Sequence, residues 1–140
     1  MVGPAGLLLA RVVREKRLNG RRYVVVDAGM NDLLRPALYQ AYHRVLPVRP
    51  GGEERTPAEV VGPVCESGDF LAHQALLPPL ATGDLVAVMD AGAYGFAMAS
   101  NYNARPRPAE VMVWRGRTTV VRARETWPDL MRGEGLPPGA

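Results

Sequence analysis

The hydrophobic residues of this chain fall into short runs that glycine, proline and polar clusters separate. In residues 110–114, Val111 and Val113 alternate with Met112 and Trp114. A strand there would place the two valines on one face and the two larger side chains on the other. None of the runs is long enough, free of glycine and proline, to predict a long helix. The strands that this pattern predicts cover residues 7–13, 23–26, 85–89, 110–114 and 118–124.

Turn signals connect the predicted strands. Asn19-Gly20 lies between the first two runs, and both residues tolerate the positive φ of a type I′ hairpin turn. Arg115-Gly116-Arg117 separates the last two runs, and Gly83-Asp84 precedes residues 85–89. Short strands with closely spaced turns are typical of sandwiches and barrels. We therefore predict a mainly β fold, an antiparallel Greek-key-like β-barrel or sandwich with a few short helices.

Helical segments are predicted to be minor. Residues 32–43 can hold a turn or two, because Pro36 limits the length of any helix there. Residues 69–77 are interpreted as a short helix or an extended connection that ends before Pro78-Pro79. Thr126 is a suitable N-cap for a final helical turn over residues 126–131.

The chain has 140 residues, a length typical of one domain, and its composition of 47% hydrophobic and 22% charged residues is that of a globular protein. We assign residues 1–132 to a single β-domain and residues 133–140 to a flexible tail. Residues 48–57, rich in glycine, proline and charge, are predicted to form an exposed loop.

Composition also narrows the classes of function. No apolar run approaches the roughly 18 residues that span a bilayer, and the N-terminus lacks the basic residues of a secretory signal. A single cysteine with two histidines argues against a disulfide framework and a structural metal site, and favours a reducing, cytoplasmic compartment. A net charge of +3 with 6% aromatic residues argues against nucleic-acid binding.

Candidate chemistry lies in three loop-like segments, at residues 28–42, 62–70 and 90–110. Cys65 and Glu66 are adjacent in the second segment. A thiol is mostly protonated at neutral pH and can act as a proton donor, and a neighbouring carboxylate favours the protonated form. The alternative is a buried, inert cysteine.

Arg35 and Tyr39 are four residues apart in the first segment, so on a helix they share a face and could bind one anionic group. The alternative is an arginine stacked on a tyrosine at the surface. In the third segment, Tyr94 lies between small residues that allow a ligand to approach closely, or else it packs inward at a bend. A dinucleotide fingerprint, a P-loop and a Ser/His/Asp arrangement are all absent from the sequence.

Taken together, these segments resemble one family. The matching stretches run in order along the chain from about Gly3 to Trp114, and the most specific are GMNDLLRPALY at 29–39, GPVCESGD at 62–69, AGAYG at 91–95, MASNYN at 98–103 and RPRPAE at 105–110. They are similar to the C-terminal domain of diaminopimelate decarboxylase. Ornithine and arginine decarboxylases share part of the pattern, but they typically carry Asp-Gly after the cysteine, where this chain has Glu66-Ser67.

The resemblance implies an enzyme that uses pyridoxal 5′-phosphate to release CO2 from the D-centre of meso-diaminopimelate, which gives L-lysine. It implies a homodimer whose active sites form between subunits. Arg35 and Tyr39 would then bind the distal end of the substrate, Tyr94 would contact the cofactor and the substrate, and Glu66 would reach the substrate in the partner's site. Cys65, also acting across the subunit interface, would donate the proton that replaces CO2.

In the family, an N-terminal (β/α)8 barrel carries the cofactor lysine, and nothing in this chain resembles that barrel. Lys16 is the only lysine, and it lies on the flank of the predicted hairpin. We therefore expect the chain to be inactive alone and to complete a site with a barrel domain. A non-catalytic dimerisation or regulatory β-domain, and a domain of an ornithine- or arginine-type decarboxylase, are the alternative hypotheses.

Overall fold

A computed structural model describes residues 2–49, 52, 54–137 and 139 of the protein. The chain divides into two compact units, residues 1–99 and residues 100–140. The strands of the first unit are β1 (Leu8–Leu18), β2 (Arg21–Val26), β3 (Val45–Pro47), β4 (Thr56–Val61), β5 (Phe70–Leu77) and β6 (Leu85–Val88). Its helix α1 spans Arg35–Tyr39, and 3-10 turns span Gly3–Ala5 and Phe96–Met98.

These six strands form one sheet in the order β3-β6-β1-β2-β4-β5. The edge strands β3 and β5 approach each other without pairing, so the sheet curls into a nearly closed barrel. Every strand pair is antiparallel except β2 and β4, which run parallel. It follows that β2, β4 and β6 all run in one direction and end at the same end of the barrel, while β1, β3 and β5 run in the opposite direction.

The barrel interior is filled by alternate side chains of the strands. In β2, the sequence RRYVVV places every second residue inside, and the exposed or half-buried residues between them face outward. Burial of one valine side chain contributes about 1.5–3 kcal/mol, so a core of many valines stabilises the barrel without large aromatic residues. The buried apolar side chains that form this core cluster are Ala10, Val12, Val24, Val26, Ala28, Leu33, Val45, Ala58, Val60, Leu71, Ala72, Leu77, Val86 and Val88.

One inward position of β2 holds a charge. Arg22 is 4% exposed and forms an ion pair with Glu15 of β1, with its Nη2 and Nε atoms 2.7 and 3.0 Å from the two carboxylate oxygens. The guanidinium also donates to the main-chain carbonyls of Leu77 (2.7 Å) and Pro78 (2.5 Å). The hydrogen bond from Arg22 holds the pKa of Glu15 below its ordinary value. This network joins the β1–β2 hairpin to the end of β5.

The second unit contains strands β7 (Glu110–Trp114) and β8 (Arg117–Arg122), helix α2 (Trp127–Leu130) and a 3-10 turn at Tyr102–Ala104. β7 and β8 pair only with each other, and their apolar side chains are exposed. Asp129 accepts hydrogen bonds from both the backbone N–H and the hydroxyl of Thr126, each 2.8 Å long, and thereby caps the start of α2. The backbone hydrogen bond from Thr126 lowers the pKa of Asp129.

The prediction of a mainly β, barrel-like fold is confirmed, as is the Asn19-Gly20 turn, where both residues have positive φ (50° and 74°). The second hairpin turns on two residues rather than three, because Trp114 pairs directly with Arg117. The proposed helix at residues 69–77 is wrong, since this segment is strand β5 and the extended alternative holds.

Besides β5, two strands were not predicted. β3 is short, and β4 begins at Thr56 within the segment that was interpreted as a loop over residues 48–57; residues 50, 51 and 53 of that segment lie outside the described residues. The tail at residues 133–140 and the single domain at residues 1–132 stay predictions, and residues 138 and 140 likewise lie outside the described part of the chain.

Candidate active site

The topology brings three loops to one end of the barrel. These loops, at residues 27–34, 62–69 and 89–95, follow β2, β4 and β6, which all run toward that end. The five predicted site residues lie in these loops or directly after one of them. Loops that follow strands pointing the same way are where a rigid sheet presents functional side chains. The sequence pattern could not place them together, because their proximity depends on strand order.

The first loop leads into α1, which carries Arg35 and Tyr39 at its two ends. Leu33 is fully buried in the core cluster and anchors the loop, and Pro36 is buried within the helix. Beyond Tyr39, Gln40 adopts the left-handed conformation (φ 55°) that ends the helix. Tyr39 is 61% exposed, so its phenol can reach a ligand or another subunit.

The third loop presents Tyr94 in an unusual backbone conformation. Tyr94 has a φ of 62°, and its side chain is 63% exposed, which excludes the alternative that it packs inward. The neighbouring Gly92 touches the N-terminal segment so closely that a Cβ atom there would lie 2.7 Å from the amide nitrogen of Gly6. The backbone N–H of Gly92 also donates to the carbonyl of Gly3 at 3.0 Å. The loop is therefore held in place while Tyr94 projects outward.

Arg35 and Tyr94 come together across the first and third loops. The guanidinium carbon of Arg35 lies 5.8 Å from the ring centroid of Tyr94, within the range of a cation–π interaction. The surface-stacking alternative paired Arg35 with Tyr39; the stacking partner in the structure is Tyr94. Among the described residues, Arg35 has no carboxylate ion-pair partner, so its guanidinium can receive an anion.

Cys65 and Glu66 are both exposed at the tip of the second loop. The loop turns tightly, with the Glu66 N–H donating to the Val64 carbonyl at 2.8 Å and the Asp69 N–H donating to the Glu66 carbonyl at 3.0 Å. This geometry excludes the alternative of a buried, inert cysteine. The Cys65 thiol faces solvent, where it can meet a substrate or another subunit.

Sequence reasoning missed two carboxylates. Asp69, the last residue of the second loop, is 5% exposed, and the sequence marked it only as part of the motif at residues 62–69. In the second unit, Glu125 accepts hydrogen bonds from Arg107 and from the Asn101 amide (2.7 Å), so the segment at residues 101–107 has a structural role. The hydrogen bond from Arg107 lowers the pKa of Glu125 to about 2.

The described residues contain no group of three or more His, Cys, Asp or Glu side chains that could bind a metal ion. None of the helices in the described part of the chain combines the length and apolar character needed to cross a bilayer. Lys16 lies on β1, and its ammonium is 5.7 Å from the ring centroid of Tyr23, outside the three loops.

The profile of the pyridoxal-dependent decarboxylase C-terminal sheet domain matches residues 4–92. The chain belongs to this family. Diaminopimelate decarboxylase of Methanothermobacter thermautotrophicus is 51% identical over 138 residues, which are 98% of this chain and 32% of that protein. The enzyme of the same name from Pseudomonas aeruginosa is 52% identical and matches 99% of this chain and 33% of its own length. The chain thus spans about a third of these curated relatives.

Solved structures of family members share the architecture. Diaminopimelate decarboxylase from Helicobacter pylori, complexed with L-lysine, superposes with a TM-score of 0.87 at 46% identity, covering 94% of this chain and 32% of that one. Lysine/ornithine decarboxylase from Vibrio vulnificus, complexed with cadaverine, superposes with a TM-score of 0.67 at 31% identity. The match covers 76% of this chain and 29% of that one. The decarboxylase sheet domain is therefore the fold of this chain.

Proposed function

We propose that this chain is the C-terminal sheet domain of a diaminopimelate decarboxylase, which converts meso-diaminopimelate to L-lysine and CO2. The observation that carries this proposal is the meeting of Arg35 and Tyr94 at the end of the barrel where the loop with exposed Cys65 and Glu66 also lies. The similarity to diaminopimelate decarboxylases along almost the whole chain supports this substrate. The weaker match to a lysine/ornithine decarboxylase makes an ornithine-type substrate the less supported alternative.

Pyridoxal 5′-phosphate fits this end of the barrel as a cofactor that another domain holds. Tyr94 offers an exposed phenol on a constrained loop, while the only lysine, Lys16, lies elsewhere on the hairpin. The chain thus has residues for contacting the rim of the cofactor but none for holding it covalently. When bound, the cofactor supplies the electron sink that allows an amino acid to lose CO2.

The residues of this chain then bind the substrate and supply the proton. The guanidinium of Arg35 forms a charge-assisted pair with the distal carboxylate of the substrate, and the Tyr39 hydroxyl hydrogen-bonds at the same end. Glu66 reaches the substrate in the site of the partner subunit. The Cys65 thiol donates its proton to the carbon from which CO2 has left, and the resulting thiolate recovers a proton from solvent.

We propose that Cys65 and Glu66 act in the site of a partner subunit, so that a homodimer forms through this face of the barrel. The exposed aromatic side chains of Tyr39 and Tyr94 are suited to such an interface. An N-terminal (β/α)8 barrel would supply the cofactor lysine, and the cytoplasm would supply the reducing conditions that keep Cys65 a thiol.

The test is to mix this chain with a separately expressed barrel domain and to measure lysine formation from meso-diaminopimelate. We expect turnover in the mixture and none with the chain alone. Assembly without turnover would favour a non-catalytic dimerisation or regulatory domain. Faster CO2 release from ornithine or arginine than from diaminopimelate, with the full-length protein, would contradict the substrate.

A further inference from the structure

The third loop is attached to the N-terminal segment of the chain. The backbone N–H of Ala91 donates to the carbonyl of Gly6 at 2.9 Å, and the N–H of Gly92 donates to the carbonyl of Gly3 at 3.0 Å. Residues 3–5 form a 3-10 turn that ends at Gly6, so both acceptors belong to one short, hydrogen-bonded segment. We call these four residues the loop clamp.

Close packing of two glycines allows these hydrogen bonds to form. A Cβ atom at Gly6 would lie 2.5 Å from the Cα of Gly92, and a Cβ atom at Gly92 would lie 2.7 Å from the amide nitrogen of Gly6. Both distances are shorter than a carbon atom keeps from backbone atoms to which it is not bonded. Neither glycine has a positive φ, so both positions require the absence of a side chain and not backbone freedom.

The loop clamp is connected to Tyr94 through Ala91. A Cβ atom at Gly95 would overlap the carbonyl oxygen of Ala91, so the chain folds back on Ala91 directly after Tyr94. Tyr94 itself has a φ of 62°, in the left-handed region, where a residue other than glycine persists when its surroundings hold it. Residues 92–94 therefore form a small loop that closes at Ala91, and the clamp fixes the base of that loop while the ring of Tyr94 stays exposed.

We propose that Gly6 and Gly92 are positioning residues that hold Tyr94 where it meets the cofactor. This inference rests on the proposed function, in which a barrel domain holds pyridoxal 5′-phosphate and Tyr94 of the same chain contacts it. The barrel would join the sheet domain at the N-terminal segment, so the loop clamp ties Tyr94 to the segment that links the two domains. A side chain that is placed in advance needs less ordering when the cofactor binds.

The experiment uses the full-length protein, freed of its cofactor, and measures the dissociation constant of added pyridoxal 5′-phosphate. In the variant Gly92→Ala, the new methyl group pushes the third loop away from Gly6 and displaces Tyr94. We expect the dissociation constant to rise about tenfold, the scale of one lost hydrogen bond or aromatic contact. Gly6→Ala acts on the same contact from the other side, and it should raise the dissociation constant by a similar factor.

A second substitution separates positioning from a general loss of structure. Tyr94→Ala removes the side chain that the loop clamp is proposed to place. Because the clamp acts through that side chain, Gly92→Ala should raise the dissociation constant less than about twofold in the Tyr94→Ala protein, compared with about tenfold in the wild type. A glycine with a merely structural role would give its full effect in both backgrounds.

The matched control is Gly3→Ala. Gly3 lies in the same 3-10 turn and also lacks a positive φ, but a Cβ atom there would be 3.9 Å from its nearest neighbours, the Cβ of Ala93 and the carbonyl oxygen of Asp90. That is an ordinary contact distance, and the main-chain carbonyl that accepts from Gly92 is unchanged by the substitution. The control should leave the dissociation constant within about twofold of wild type, the scale of a change that disturbs no contact.

The outcomes are decisive. If the wild-type protein does not bind pyridoxal 5′-phosphate, the proposed function fails, and the positioning role fails with it. If it does bind, and Tyr94→Ala or both glycine variants keep the wild-type dissociation constant, only the positioning role is overturned. The same holds if Gly92→Ala has its full effect without the Tyr94 side chain. If neither glycine variant folds, the two glycines serve folding alone, and the positioning role is likewise overturned.

Discussion

Removal of the Arg35 guanidinium should weaken recognition of the distal carboxylate selectively. Arg35 has no ion-pair partner among the described residues and stacks over Tyr94 at 5.8 Å, so no structural carboxylate competes with a ligand for its guanidinium. We expect Arg35→Gln in the full-length protein to raise KM for meso-diaminopimelate and to leave the inhibition constant of D-lysine nearly unchanged.

The magnitude follows from the environment of the side chain. A charge-assisted hydrogen bond contributes about 1.5–3 kcal/mol, which corresponds to about tenfold to a hundredfold in kcat/KM. Arg35 is only half-buried in this chain, and solvent screens a partly exposed pair. The lower part of the range, about tenfold, is therefore the expected loss. Arg35→Lys keeps the charge but not the planar fork, and it should recover part of that loss.

The assay is lysine formation over a range of substrate concentrations, with D-lysine as a competitive inhibitor. Arg17→Gln is the control, because Arg17 is exposed on β1 beside the hairpin turn, at the other end of the barrel. An equal loss of affinity for meso-diaminopimelate and D-lysine would refute the reasoning, since D-lysine lacks the group that Arg35 is proposed to bind.

Three further results are expected. Cys65→Ala in the full-length protein should slow lysine formation by about 10²–10⁴-fold, the contribution of a general acid, with the cofactor absorbance retained; unchanged turnover would remove Cys65 from the mechanism. Arg22→Met should lower the free energy of unfolding by about 3 kcal/mol in urea denaturation, because it leaves Glu15 and two main-chain carbonyls without their donor; a loss below about 1 kcal/mol would show that the pair contributes little. Arg107 lowers the pKa of Glu125 from 4.5 to about 2. The ionised Glu125 therefore stabilises the folded protein fully above pH 4.5, and this contribution to the free energy of unfolding is lost as the pH falls toward 2. Glu125→Gln should flatten the pH dependence of unfolding over that window, and an unchanged slope, measured by thermal denaturation, would contradict the assignment.

The sequence predicted those parts of the fold that local rules control. The Asn19-Gly20 turn and the short helix at Trp127–Leu130 depend on residues close in the chain, and both are present. Residues 69–77 remained ambiguous because a mostly apolar segment of this length fits a helix or a strand, and pairing with β4 decides for the strand. The sequence of β4 shows no clear alternation of apolar and polar residues, since it contains Pro57 and Glu59.

The candidate site divides in the same way. Its residue types and motif spacing were visible in the sequence. The contact between Arg35 and Tyr94 was not, because the two residues are 59 positions apart in the chain. That contact requires β2 and β6 to run in the same direction, which follows from the pairing of both with β1. The hydrogen bond from Met30 to Asp69 was hidden for a similar reason, because the two residues lie in different loops.

By itself, the sequence determined the strand-forming pattern, the turns and the identity of the groups that can bind an anion or donate a proton. Only the tertiary structure decided that Val24 and Leu85 belong to one sheet and Val111 to another, and that the three loops meet. The physical reason is that turns and caps are set by neighbouring backbone and side chains. Strand order is set by burial of the whole apolar face at once, a property that no short segment contains.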